Sequence, residues 1–172
     1  MDYCIDTSVF ITASRTYYAF DIAPLFWKAL LTLAENGIVI TPIAVYSEIM
    51  SGDDDLKQWA KDHKKTIFID PDSAVVDAYR QIADFANNQY DDAHWIRDFL
   101  AGADPWVIAQ AKASNLIVVT TEGKKSSEEV NRATNRYRGK IKIPNICSHF
   151  GINCISTFEL LRNQKIELGK LS

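Results

Sequence analysis

The sequence predicts an α/β fold of three layers, α/β/α, with a mainly parallel central sheet. Two observations predict it. Short apolar runs of strand length alternate with longer stretches of helical periodicity, and most of the switches carry a helix start or stop signal. With 172 residues, 47% of them hydrophobic, and no Pro/Gly-rich stretch, the chain is expected to bury one core and form one domain over residues 1–172.

The elements follow in order. A strand is expected at about 2–6, then a loop rich in Ser, Thr and Tyr through Asp21. PLFWKALLTLAENG places Leu25, Phe26, Ala29, Leu30 and Leu33 at helical spacing and stops at Asn36-Gly37. IVIT (38–41) is a short buried strand; Thr41-Pro42 reads as an N-cap with Pro at the first helical position, opening the helix IAVYSEIMSG that carries Glu48. A helix at about 54–64 leads to strand TIFID (66–70), and Pro71-Asp72 opens the long helix SAVVDAYRQIADFANN. A shorter helix near 92–100 stops at Gly102, helix DPWVIAQAKAS (104–114) follows, and LIVVT (116–120) is the next strand.

Composition excludes several classes. No apolar run approaches the ~20 residues that span a bilayer, and the first ten residues carry Asp2 and Asp6 rather than a basic export region, so a cytoplasmic protein without membrane association is expected. Cys4, Cys147 and Cys154 lack paired metal or redox spacing and read as buried thiols. The net charge of −3 conceals a basic segment: Lys124, Lys125, Arg132, Arg136, Arg138, Lys140 and Lys142 face only Glu128 and Glu129. Within it, Lys124, Lys125, Arg132 and Arg136 are candidates to hold phosphates; the alternative is a solvated helix face with pairs such as Glu128–Arg132.

Four acids fall where a parallel sheet can gather them. Asp6 closes the first strand, Glu122 follows the strand 116–120, Glu48 lies within a helix, and Asp104 begins one. Ligands of such sheets bind beyond the carboxyl ends of the strands. Carboxylates within ~4 Å of each other repel by about 4 kcal/mol per pair at an effective dielectric near 20, so a cluster needs a cation. Oxygen donors without His or Cys select Mg²⁺ or Mn²⁺ over Zn²⁺, and such an ion can activate water against a phosphodiester and stabilise the leaving oxygen. With these four carboxylates neutralised, the net charge of −3 becomes +1, which does not repel RNA. Asp104 before Pro105 also reads as an N-cap. Asp53-Asp54-Asp55 and Asp91-Asp92 read as helix-start and loop acids.

At these residues the chain resembles the PIN-domain ribonucleases, among them the VapC-type toxins of type II toxin–antitoxin modules. CIDTSVFI matches the family's strand-Asp-Thr/Ser opening, and ITPIAVYSEI its second element. ADPWVIAQA resembles its Asp-x-x-Ile-Ala helix, and IVVTTE its strand-Thr-x-Asp ending, with Glu122 in place of the usual Asp. The tail KIKIPNICSHFGINCISTFELL resembles that of an uncharacterised PIN-like family, ending in a strand and a helix. The resemblance implies a PIN-like fold and metal binding by Asp6, Glu48, Asp104 and Glu122, with Ser8 and Thr120 as hydroxyl neighbours. It further implies a Mg²⁺- or Mn²⁺-dependent endoribonuclease leaving a 5′-phosphate and a 3′-hydroxyl, RNA as substrate, an antitoxin partner whose peptide or helix fills the acidic cleft, and a homodimer.

Two alternatives stand beside it: a structure-specific DNA nuclease, although the chain lacks a long helical arch, and a PIN-like module that binds RNA or protein without cutting. A haloacid-dehalogenase phosphatase is disfavoured, because Asp6 is followed by Thr7-Ser8 rather than by a second Asp two positions on. His63, His94 and His149 have no partners at ligand spacing. Trp27, Trp59, Trp95 and Trp106 read mostly as core, whereas Tyr17, Tyr18 and Arg15 lie in the segment after the first strand, beside the expected cleft.

Overall fold

A computed structural model describes residues 3–52, 54–123 and 129–169. In chain order the elements are β1 (Tyr3–Ile5), α1 (Thr7–Arg15), α2 (Pro24–Glu35), β2 (Val39–Pro42), α3 (Ile43–Met50), α4 (Asp55–Asp62), α5 (Lys64–Ile67) and β3 (Phe68–Ile69). Then come α6 (Ser73–Gln89), α7 (Ala93–Ala101), α8 (Asp104–Ser114), β4 (Ile117–Val119), β5 (Val130–Asn131), β6 (Arg136–Tyr137), α9 (Ile143–His149), β7 (Cys154–Ile155) and α10 (Thr157–Asn163).

Among the described residues, five strands form one sheet in the order β3-β2-β1-β4-β7, with every pairing parallel and helices flanking it. This is the predicted three-layer α/β architecture. Its central strand is apolar throughout, and Tyr3, Cys4 and Ile5 are all buried, as a parallel strand covered on both faces requires. Helix α8 packs across β1, β2 and β4 and is covered in turn by α6. Asn115 ends α8 in the left-handed conformation at φ 53°, its N–H donating to Ala111 O, which turns the chain directly into β4.

Strand order positions the site. From β1 the chain winds outward through β2 to β3, then returns to place β4 on the other side of β1. The winding therefore reverses between β1 and β4, and a crevice opens there at the carboxyl edge. Asp6 and Thr120 are the first residues past those two strands.

Four local expectations are corrected. The segment expected to be loop through Asp21 begins with nine helical residues, α1, which bury Thr7, Val9, Phe10 and Ala13. Its β-branched and hydroxyl residues have weak helix propensity, and packing of the Phe10 ring against Trp59 and Phe68 overrides it. Thr41 lies inside β2, fully buried, and Pro42 takes the N-cap position of α3. Thr66 and Ile67 belong to α5, which shortens the expected strand 66–70 to Phe68–Ile69. The helix considered for the basic segment is instead, over its described part, the antiparallel hairpin β5–β6. Asp53 and Glu128 lie outside the described residues.

Candidate active site

Asp6 is only 2% exposed, held between the ends of β1 and β4. Its Oδ2 accepts from Ser8 Oγ at 2.5 Å and from Thr120 Oγ1 at 2.8 Å, and its backbone N–H donates to Val119 O. Ser8 reaches back because α1 starts at Thr7, immediately after the strand. Burial raises the Asp6 carboxyl above its ordinary range, the two hydroxyls lower it, and the charges of Glu122 and Glu48 raise it again.

Asp104 is the first residue of α8 rather than its cap, which corrects the N-cap expectation. Ala103 takes the cap position, and its N–H donates to Glu48 Oε1 at 2.6 Å, so α3 supplies the capping carboxylate for α8. Gly102 lets Glu48 come this close: a Cβ there would sit 3.1 Å from Oε1. The other Glu48 oxygen accepts from Thr7 Oγ1 at 2.6 Å. Asp104 receives no hydrogen bond from a described side chain, and its carboxyl is pushed up to about 7 by burial first, then by Asp6, Glu122 and Glu48, with Lys140 opposing.

Glu122 turns toward the segment before α9. Its Oε1 accepts from Lys142 Nζ at 2.7 Å and its Oε2 from the Ile143 N–H at 3.0 Å. All four predicted acids thus share one electrostatic neighbourhood at the carboxyl edge, but they differ in state. Among the described residues, Asp6 and Asp104 have no cationic partner in hydrogen-bond contact, whereas both oxygens of Glu48 and of Glu122 are engaged by protein donors. No three acidic, His or Cys side chains among the described residues converge into a ready-made metal-holding group.

Of the expected phosphate contacts, Lys124 and Lys125 lie outside the described residues. Arg132 is exposed on the hairpin, while Arg136 donates to Asn87 O and lies 3.8 Å from Asp91, tying the hairpin to the end of α6. Arg15 pairs with Asp54 at 3.3 Å. Sequence reasoning missed Thr7 as a site residue and placed Lys140 and Lys142 only in the basic segment, not beside the acids. The alternation Lys140-Ile141-Lys142-Ile143 was the available signal: both isoleucines are buried, and an extended segment then turns both lysines to the other side.

Two clefts are lined by members of this set of acids. One of about 270 Å³ is lined by Glu48, Trp95, Asp98, Gly102, Asp104 and Lys140, and one of about 480 Å³ runs past Thr120, Thr121, Glu122 and Ser148. A smaller apolar cleft of about 180 Å³ lies between Tyr17, Tyr18 and Phe158 and shares Thr121 with the second.

A parallel sheet of this order, flanked by helices and with its acids at the carboxyl edge, is a PIN-like fold. The chain belongs to the family described as Domain of unknown function (DUF4411), which matches residues 3–168. In fold it is similar to a chain of VapBC2 from Rickettsia felis, solved bound to a DNA fragment from their promoter, with 13% identity and a TM-score of 0.50 over 91% of this chain and 98% of that one. A search of curated proteins returns no match. No helix among the described residues is long and apolar enough to cross a membrane.

Proposed function

We propose that this chain is a divalent-metal-dependent endoribonuclease and the toxin of a toxin–antitoxin pair. The observation that carries the proposal is the Asp6–Asp104 pair: two largely buried carboxylates at the topological switch point that have, among the described residues, no cationic partner in hydrogen-bond contact, with Asp104 lining a cleft. The donor chemistry, oxygen only, fits Mg²⁺ or Mn²⁺. Asp6 and Asp104 would hold the ion, with Glu48 and Glu122 flanking it. When bound, it supplies charge neutralisation at the phosphodiester and a lowered pKa for attacking water. The chain's own residues set the geometry: Ser8 and Thr120 fix the Asp6 carboxylate, and Thr7 fixes Glu48, which caps α8 and so orients Asp104.

The likeness in fold to VapBC2 supports the toxin–antitoxin reading, with a protein antitoxin as the proposed partner and a homodimer as the proposed assembly. RNA is proposed as substrate because unstacked bases can use the aromatic cleft of Tyr17, Tyr18 and Phe158. The test is cleavage of a panel of labelled RNAs and a structured DNA in Mg²⁺, Mn²⁺ or EDTA, beside Asp6→Asn and Asp104→Asn. A non-cutting PIN-like binding module is the second reading, favoured by the internal hydrogen bonds that occupy Glu48 and Glu122. Metal-independent RNA binding without cleavage would establish it instead.

Two further outcomes are expected. Thr120→Val removes a hydrogen bond that holds the Asp6 carboxylate and should weaken Mn²⁺ affinity by roughly 10- to 100-fold in calorimetry, with Ser8→Ala acting in the same direction. Asp104→Asn should raise Tm in EDTA at pH 8 but not at pH 4. The folded carboxyl titrates at about 7 against an ordinary 3.8, so the folded chain binds more protons than the unfolded one between those values. Stability from this group is fully present below about pH 4 and is lost as pH rises through about 7. After allowance for residual solvent screening, the penalty relieved at pH 8 is about 1–3 kcal/mol.

A further inference from the structure

Lys142 lies in the acidic cluster, with its Nζ 2.7 Å from Glu122 Oε1 and both side chains largely shielded from solvent. Its position is fixed from both ends. Ile141 and Ile143 are buried on either side of it, and the Ile143 N–H holds the second Glu122 oxygen. Lys140, two residues earlier, lines the cleft that also contains Glu48 and Asp104.

We infer that Lys142 is a built-in cation that occupies Glu122, so that the site takes one divalent ion, on Asp6 and Asp104, and Glu122 is not a ligand. The inference rests on the proposed metal-dependent function and deepens it. Its physical basis is that Glu122 already has a charged donor on one oxygen and a backbone donor on the other. A second cation would have to displace a strong charge-assisted hydrogen bond and sit beside an ammonium group.

The experiment is calorimetric titration of the whole chain with Mn²⁺, with Tm recorded for every variant. The wild type should bind about one ion. Lys142→Gln frees Glu122 and leaves the cluster more negative, so it should bind about two ions, and Lys142→Arg, which keeps the charge, should return to about one. Changing both partners, Glu122→Gln with Lys142→Gln, preserves the net charge and should leave about one ion bound, with affinity within about threefold of wild type. Two ions in the wild type, one ion in a folded Lys142→Gln, or a loss of tenfold or more in the double variant would each overturn the inference while leaving the metal site standing. Should Lys142→Gln not fold, the double variant decides. Absence of Mn²⁺ binding in every folded protein would overturn the metal-dependent function itself, and this inference with it.

Discussion

Asp6→Asn is expected to abolish metal-dependent RNA cleavage, lowering the rate by about a thousandfold or more, roughly 4 kcal/mol of barrier. The substitution keeps the side chain's shape at the end of β1 and removes its charge. An ion held as proposed would then lose its most buried anionic ligand, and Asn cannot offer two equivalent oxygens, one to the hydroxyls of Ser8 and Thr120 and one to the ion. The fold should not suffer. In EDTA the wild type keeps a buried carboxylate beside the charges of Glu122 and Glu48, so the variant's Tm should equal or exceed that of the wild type. A folded Asp6→Asn protein that cuts RNA at the wild-type rate would exclude this carboxylate from the chemistry.

Phe10→Ala should destabilise the protein by about 3–5 kcal/mol, read as a shift in denaturation midpoint at unchanged slope. Phe10 is fully buried, and its ring lies 5.8 Å from that of Trp59 and 6.2 Å from that of Phe68. It joins α1 to α4 and β3, and truncation leaves a cavity that rigid neighbours cannot close. Domains are stable by only about 5–15 kcal/mol, so the loss is a large share of the total. It also reaches the site. Thr7 and Ser8, one turn upstream on the same helix, hold Glu48 and Asp6, so Mn²⁺ affinity should fall even where the variant remains folded. A midpoint shift below about 1 kcal/mol would show that α1 is held by something other than this aromatic contact.

The sequence by itself determined the alternation of strands and helices, the parallel sheet, and the placement of Asp6, Glu48, Asp104 and Glu122 at strand ends and on helices. Those features are written in periodicity and in punctuation such as Asn36-Gly37 and Asp72, signals that act over a few residues. Tertiary structure alone decided how the acids are held. Thr7 reaches Glu48 across 41 positions, Glu48 caps Ala103 across 55, and Thr120 reaches Asp6 across 114. The same long-range packing made a helix of Thr7–Arg15 and moved Asp104 from cap to first helical residue. It also split the basic segment, taking Arg136 into a structural tie and Lys142 into the acidic cluster. Local pattern records what each residue prefers; which donor meets which carboxylate is set by chain crossings that no local window contains.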